Sequence, residues 1–255
     1  MKRLPLLMLL LAVTAAGFAQ PAIIAHRGAS ADAPENTVSA ANVAWKQNAD
    51  AVEIDIHLSK DNRVMVIHDD NTKRTTGEDF KVSNTLSEDL RMLDAGSFKN
   101  ASYQGEKIPF LEEVITTIPN GKTLVIEIKS GLDVLPQLQA VIGKSEKQPS
   151  CKFISFSWDA IVAAKKLFPN NECYWLSSKR DGLIDKMAEA VAAGLDGLDL
   201  HYKVIDDECM KAANRNNLKI IAWTVDSPEE ALRLANLGVS GITTNKPKLM
   251  IDTLK

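Results

Sequence analysis

Nine short apolar, β-rich runs follow one another between residues 22 and 244, and amphipathic segments separate most of them. They cover 22–26, 51–58, 64–68, 123–129, 152–157, 173–177, 195–200, 219–225 and 239–244. Strand–helix alternation implies a parallel sheet, because each parallel crossover needs room for a helix. One link breaks the pattern. Only five residues, Ser59 to Arg63, join the second run to the third. That is too short for a parallel crossover, so these two runs form an antiparallel hairpin. Eight strands remain when the extra one is set aside. The count predicts an α/β fold, a TIM (β/α)8 barrel with one added hairpin strand. An open doubly wound sheet is the main alternative, but no GxGxxG and no GxxxxGK followed by Ser or Thr follows a strand.

Local signals agree with the alternation. In SPEEALRLANL, Ser227 can cap a helix, Pro228 suits its first turn, Glu230 completes a capping box and Gly238 can stop it. Pro109 and Gly121 bracket FLEEVITTIPN in a similar way. The polar stretch from about 70 to 108 breaks the rhythm. It reads as an insertion after the extra strand, with a short helix over 86–93, and loops of that length tend to be functional or mobile.

The first 19 residues have the layout of a cleaved secretory signal. Lys2 and Arg3 are basic, Leu4 to Val13 are apolar, and Gly17 and Ala19 are small residues ahead of a cut after Ala19. An uncleaved anchor is the alternative, but the apolar run is short for a membrane span. The expectation is a protein exported to the periplasm or beyond, with no stable membrane anchor. The remaining residues, about 236, fit a single barrel domain over 20–255. The formal charge is -3, and -5 without Lys2 and Arg3. That balance makes nucleic acid a poor partner. Export permits disulfides, and Cys151 and Cys173 open consecutive strands. A bridge between them and buried free thiols are both open readings, and no Cys/His cluster has zinc spacing.

In a TIM barrel the active site lies at the C-terminal strand ends. The first strand ends in His26-Arg27. The second carries Glu53 and Asp55, two apart and so on one face. The fourth run carries Glu127 and Lys129 in the same relation. Buried carboxylates are costly unless something positive pairs with them. Three of them converging make an oxygen cage suited to one divalent cation, Mg²⁺ or Ca²⁺. A two-residue turn at Asp61-Asn62 would pair Asp55 with His68, bringing a second imidazole to the cluster. A bulge would shift that register by one. His57 reads as structural. His201 follows a strand and could approach the site.

The motifs AHRGASADAPENT, AVEIDIHLSKD, VMVIHDDNTKRTTG, LVIEIKS, FISFSW, IIAWTVDS and GITTNKP occur in this order. With them the chain resembles the glycerophosphodiester phosphodiesterase family over most of its length. The resemblance implies a barrel enzyme that hydrolyses small glycerophosphodiesters to glycerol 3-phosphate and an alcohol with a divalent cation. Carried over by motif, His26 and His68 would be the acid/base pair, and Glu53, Asp55 and Glu127 the metal ligands. Arg27 and Lys129 would hold phosphate, Trp223 would sit at the mouth, and Glu35 and Asn36 of the Pro34-to-Thr37 turn would support the site. Many relatives carry an acidic residue where this chain has Asn245. Water, or the glycerol 2-hydroxyl through a cyclic intermediate, would attack. Related barrel phospholipases acting on intact lipids, or a binding protein that lost turnover, are the competing readings.

Overall fold

The structure, a computed structural model, describes residues 20–255. The expected leader and the expected cut after Ala19 lie outside the described residues. Nine strands are present: β1 (Ala22–Ala25), β2 (Ala51–Leu58), β3 (Val64–Val66), β4 (Thr123–Ile128), β5 (Cys151–Ser155), β6 (Cys173–Ser177), β7 (Gly197–His201), β8 (Lys219–Trp223) and β9 (Gly241–Thr244). Eight of them run parallel in the ring β1-β2-β4-β5-β6-β7-β8-β9, and β1 pairs with both β2 and β9 to close it. This is the TIM barrel that the strand count implied. Strand β3 lies outside the ring, antiparallel to β2.

The helices are α1 (Val38–Lys46), α2 (Lys73–Thr76), α3 (Ser87–Met92), α4 (Leu111–Thr116), α5 (Leu135–Gly143), α6 (Trp158–Leu167), α7 (Leu183–Ala192), α8 (Asp207–Arg215), α9 (Pro228–Leu237) and α10 (Pro247–Leu254). Helix α9 begins and ends where its sequence says. The Ser227 hydroxyl accepts from the Glu230 N–H at 3.5 Å, and Gly238 takes a left-handed φ of 84°. The Glu230 side chain does not return to the cap; it pairs with Arg233 instead.

The alternating strand pattern separates two cores. One set of residues packs outward against the helices, as Val52, Ile54, Leu124, Ile126, Leu198, Ile220 and Ile242 do. The other set fills the barrel, as Ile24, Ala51, Val125, Ile154, Tyr174, Leu176 and Ile221 do, with Trp223 packed on it. Residues two positions further along each inward row must therefore line the mouth. They are His26, Glu53, Glu127, Phe156, Leu176 and Trp223.

The hairpin differs from the expected register by one. Ile56 pairs with Val66, His57 with Met65 and Leu58 with Val64. Asp55 then stands opposite Ile67, whose N–H donates to the Asp55 carbonyl at 3.0 Å, and not opposite His68. The cause is a three-residue loop, Lys60 to Asn62, closed by the Ser59 N–H donating to the Arg63 carbonyl. Asn62 takes φ 61° at its end, the left-handed position such loops require.

The stretch over 70–108 is an ordered appendage. It holds α2 and α3, and it forms a satellite core of Met65, Ile67, Val82, Leu90, Ala95 and Ile108 under β3. The cysteine question resolves as free thiols. Cys151, Cys173 and Cys209 are all buried and unbridged. Strands β5 and β6 are neighbours, but Cys173 stands beside Phe153, two residues past Cys151. Burial pushes the Cys151 and Cys173 thiols up to about 12.

Candidate active site

The turn after β1 is built around two unusual backbone positions. Arg27 has φ 55° and Gly28 has φ 80°. A Cβ at Gly28 would lie 2.6 Å from the Ala40 backbone, so α1 can pass this close only over a glycine. The turn aims the Arg27 N–H at Glu53 Oε2, 2.9 Å away, and puts His26 and the Arg27 side chain at the mouth.

Glu53, Asp55 and Glu127 each present a carboxylate oxygen within 4.8 Å of the others, and all three residues are buried. Cations offset them. Arg27 Nε lies 3.4 Å from Asp55 Oδ2, and Lys129 Nζ lies 3.0 Å from Glu127 Oε1 and 3.5 Å from Asp55 Oδ1. The offset is incomplete. Glu53 Oε1 and Asp55 Oδ1 are buried without a hydrogen-bond partner. Burial and the neighbouring carboxylates push Glu53 well above the usual carboxylate range, and burial with Asp55 pushes Glu127 up to about 7. Asp55 goes the other way. Burial would raise it, but Lys129 and Arg27 hold it low. A divalent cation would fit such a cluster, because it would supply the missing positive charge and coordinate the two unpartnered oxygens.

Both imidazoles reach this pocket. His26 Nδ1 is 2.8 Å from Asn245 Oδ1. The amide is fixed by Asp226, whose Oδ2 accepts from Asn245 Nδ2 at 2.6 Å, and Ser30 donates to the same Oδ1. An amide oxygen only accepts, so His26 carries its proton on Nδ1 and leaves the Nε2 lone pair free. Burial, with Arg27 adding, lowers the His26 pKa. His68 arrives by a different route. Its Nδ1 is 2.7 Å from Asp69 Oδ1, and its carbonyl accepts from His57 Nε2 at 3.1 Å. His57 thus props the backbone of His68, in keeping with a structural role.

The support extends into the appendage. Arg74 of α2 donates to Asp69 at 2.8 Å and to both oxygens of Glu35 at 2.7 and 2.8 Å. Glu35 accepts in turn from Arg27 at 2.8 Å. Hydrogen bonds from Arg74, with His68 adding, hold Asp69 at about 2. Asn36, at φ 58°, donates to Asp55 Oδ2 at 2.8 Å and accepts from the Asp55 N–H at 3.0 Å. Both predicted supporting residues therefore touch the site. Asn245, Asp226, Asp69 and Arg74 were not predicted. Asp69 and Arg74 stand in the quoted VMVIHDDNTKRTTG motif, so an acid directly after His68 was a readable signal.

The opposite wall is apolar. Phe156, Leu176, Ile154 and Trp223 line it, with Thr224, Thr243 and Asp199. The Trp223 ring meets Phe156 edge-on at 5.5 Å, and its N–H donates to the Asp199 carbonyl. His201 touches Trp223 from the rim, 5.3 Å away, and does not line the pocket. The cavity between the two walls is about 100 Å³. One wall holds two imidazoles and a cluster of carboxylates, and the other suits a carbon skeleton.

Known proteins share this architecture. Residues 26–249 match the Glycerophosphoryl diester phosphodiesterase family. A glycerophosphodiester phosphodiesterase of Caldanaerobacter subterraneus is 35% identical over 91% of this chain and 97% of its own length. One from Bacillus subtilis is 32% identical over 89% of this chain and 84% of its own. Among solved structures, an Oleispira antarctica phosphodiesterase in complex with the product sn-glycerol-3-phosphate superposes with TM-score 0.86 and 30% identity. That match covers 92% of this chain and 96% of the other. Fold, the span of the match and sequence identity converge: the chain belongs to the glycerophosphoryl diester phosphodiesterase family.

Proposed function

We propose that this protein hydrolyses small glycerophosphodiesters to sn-glycerol 3-phosphate and an alcohol, using a divalent cation and two histidines. One observation carries the reading. His26 follows β1 and His68 follows β3, yet both line the pocket that contains Glu53 and Glu127.

A phosphodiester resists attack because its own negative charge repels nucleophiles. Arg27 and Lys129 stand beside the cluster, where they can hold phosphate oxygens and stabilise the charge of the transition state. Glu53, Asp55 and Glu127 would hold the cation; when bound, it would supply Lewis-acid neutralisation of the phosphoryl oxygens. One imidazole takes a proton from the attacking oxygen, and the other gives a proton to the departing one. Asn245 and Asp69 fix the two rings, each by accepting from Nδ1, so both present Nε2 for proton transfer. Ionised Asp69 can also balance the charge of a protonated His68 ring. Trp223 and Phe156 supply an apolar face for the glycerol carbons. The layout of residues 1–19 supports export as the setting.

The test is release of glycerol 3-phosphate from glycerophosphocholine. EDTA treatment should abolish it, and Mg²⁺ or Ca²⁺ should restore it. Full turnover by the metal-stripped enzyme would refute the cation role, and absence of release under all conditions would refute the substrate.

A further inference from the structure

Asp199 is the one acidic group on the apolar wall. The inward row of β7 reads Gly197, Asp199, His201, so the carboxyl points into the barrel one step below the rim. It is 2% exposed. Its Oδ1 is buried with no hydrogen-bond partner, and the residue lines the cavity. Leu176 and Ile221 are its register neighbours on β6 and β8, and both are apolar.

An unpartnered buried carboxyl is costly to keep. Nothing in the barrel explains its retention. Glu53 and Glu127 are offset by Arg27 and Lys129, whereas Asp199 has no basic neighbour within salt-bridge distance. Its surroundings suit a ligand group instead. Trp223 packs over the same cavity, and its indole N–H is already committed to the Asp199 carbonyl, so the ring offers a face to carbon and the carboxyl offers the polar contact. A polyol satisfies both, because each hydroxyl can donate and accept. Burial, with Glu127 adding, raises the Asp199 pKa well above the usual range, which suits a group that shares hydrogen bonds with a neutral hydroxyl.

We infer that Asp199 is a specificity-determining residue that hydrogen-bonds a hydroxyl of the glycerol moiety seated against Trp223. The inference rests on the diesterase reading above. It places glycerol on the apolar wall and leaves the phosphate to Arg27, Lys129 and the cation cage.

Equilibrium binding separates the two ideas. Wild type, Asp199→Leu and Asp199→Asn would be titrated, with Mg²⁺ present, against sn-glycerol 3-phosphate and against inorganic phosphate. Asp199→Leu should weaken glycerol 3-phosphate about tenfold to a hundredfold, the cost of an unmade buried hydrogen bond. Phosphate affinity should stay within about twofold, and Asp199→Asn should recover most of the loss. Asp199→Leu should also melt at a higher temperature than wild type, since it removes an unpartnered buried carboxyl. Equal losses for both ligands, or a lowered melting temperature in both variants, would make Asp199 structural and overturn the inference. So would a wild type that binds glycerol 3-phosphate no better than phosphate. If wild type binds glycerol 3-phosphate through Asp199 yet never releases it from a diester, the reaction is wrong and the subsite stands.

Discussion

The two ends of the barrel treat inward charge in opposite ways. At the floor, Lys152 and Lys219 both reach Glu172, which also accepts from the Tyr174 hydroxyl at 2.7 Å. Burial opposes ionisation there, but these hydrogen bonds hold Glu172 at about 2. At the mouth, three buried carboxylates face two cations and are left with unpartnered oxygens. The floor is electrostatically complete; the mouth is held short of completion. The same ring of strands thus spends its charged side chains on cohesion at one end and keeps binding capacity in reserve at the other.

Substitutions at the mouth should break activity while sparing or raising stability. Glu53→Gln is expected to lower kcat/KM by at least about 10³-fold, because it removes a charge from the cation cage. His26→Ala and His68→Ala should each lower kcat by about 10²–10⁴-fold. His57→Ala should stay close to wild type in the same assay. Calorimetry should find metal-free Glu53→Gln at least as stable as wild type. A mouth variant that unfolds easily would show that the two ends do not differ as described.

Asn245→Ala is a smaller perturbation, about 10–100-fold in kcat, the usual cost of freeing an oriented ligand or base. The His26 ring would lose the partner that sets its tautomer. A rate unchanged by this substitution would mean that the turn after β1 suffices to hold the ring without the amide.

The mouth should also carry a pH signature. Glu127 is raised to about 7 in the fold, against 4.5 as its ordinary value. The folded state therefore holds the proton more tightly than the unfolded state. Glu127 stabilises the metal-free protein below about 4.5, and that contribution is lost as pH rises through about 7. Melting temperature without metal should fall across that window, added divalent cation should restore it, and Glu127→Gln should flatten the dependence. A metal-free melting curve independent of pH would contradict the arrangement.

The smallest effect belongs to the floor. Glu172→Gln should cost stability of about 1 kcal/mol, the scale of a partly exposed ion pair with hydrogen bonds. It should leave kcat/KM within about twofold. Loss of activity here would join the two ends that the structure keeps apart.

What could be read from the sequence follows the same division. The period of two placed Glu53, Asp55, Glu127 and Lys129 on the inward face, because strand alternation admits only two answers. Hairpin register needed more. The left-handed φ of Asn62 lengthened the loop to three residues, and Asp55 moved from His68 to Ile67 as its partner. His68 still reaches the pocket, but not through the pairing that a two-residue turn implied. Asn245 and Arg74 were out of reach, since their roles depend on packing between distant segments. Asp199 was not. It obeys the alternation that found Glu53, but no second carboxylate or cation stands two positions from it on the same face to draw attention.

His26 and Asn245 stand 219 positions apart, and their contact forms only where β1 meets β9. The chain must therefore be translated through its last strand before the imidazole acquires a defined proton. A nascent or clipped chain lacking β9 would still possess both histidines and every carboxylate of the cage. It would lack the amide that sets the His26 tautomer. With the proposed role of His26, catalytic competence is a readout of ring closure, a final check that the first and last strands have found each other.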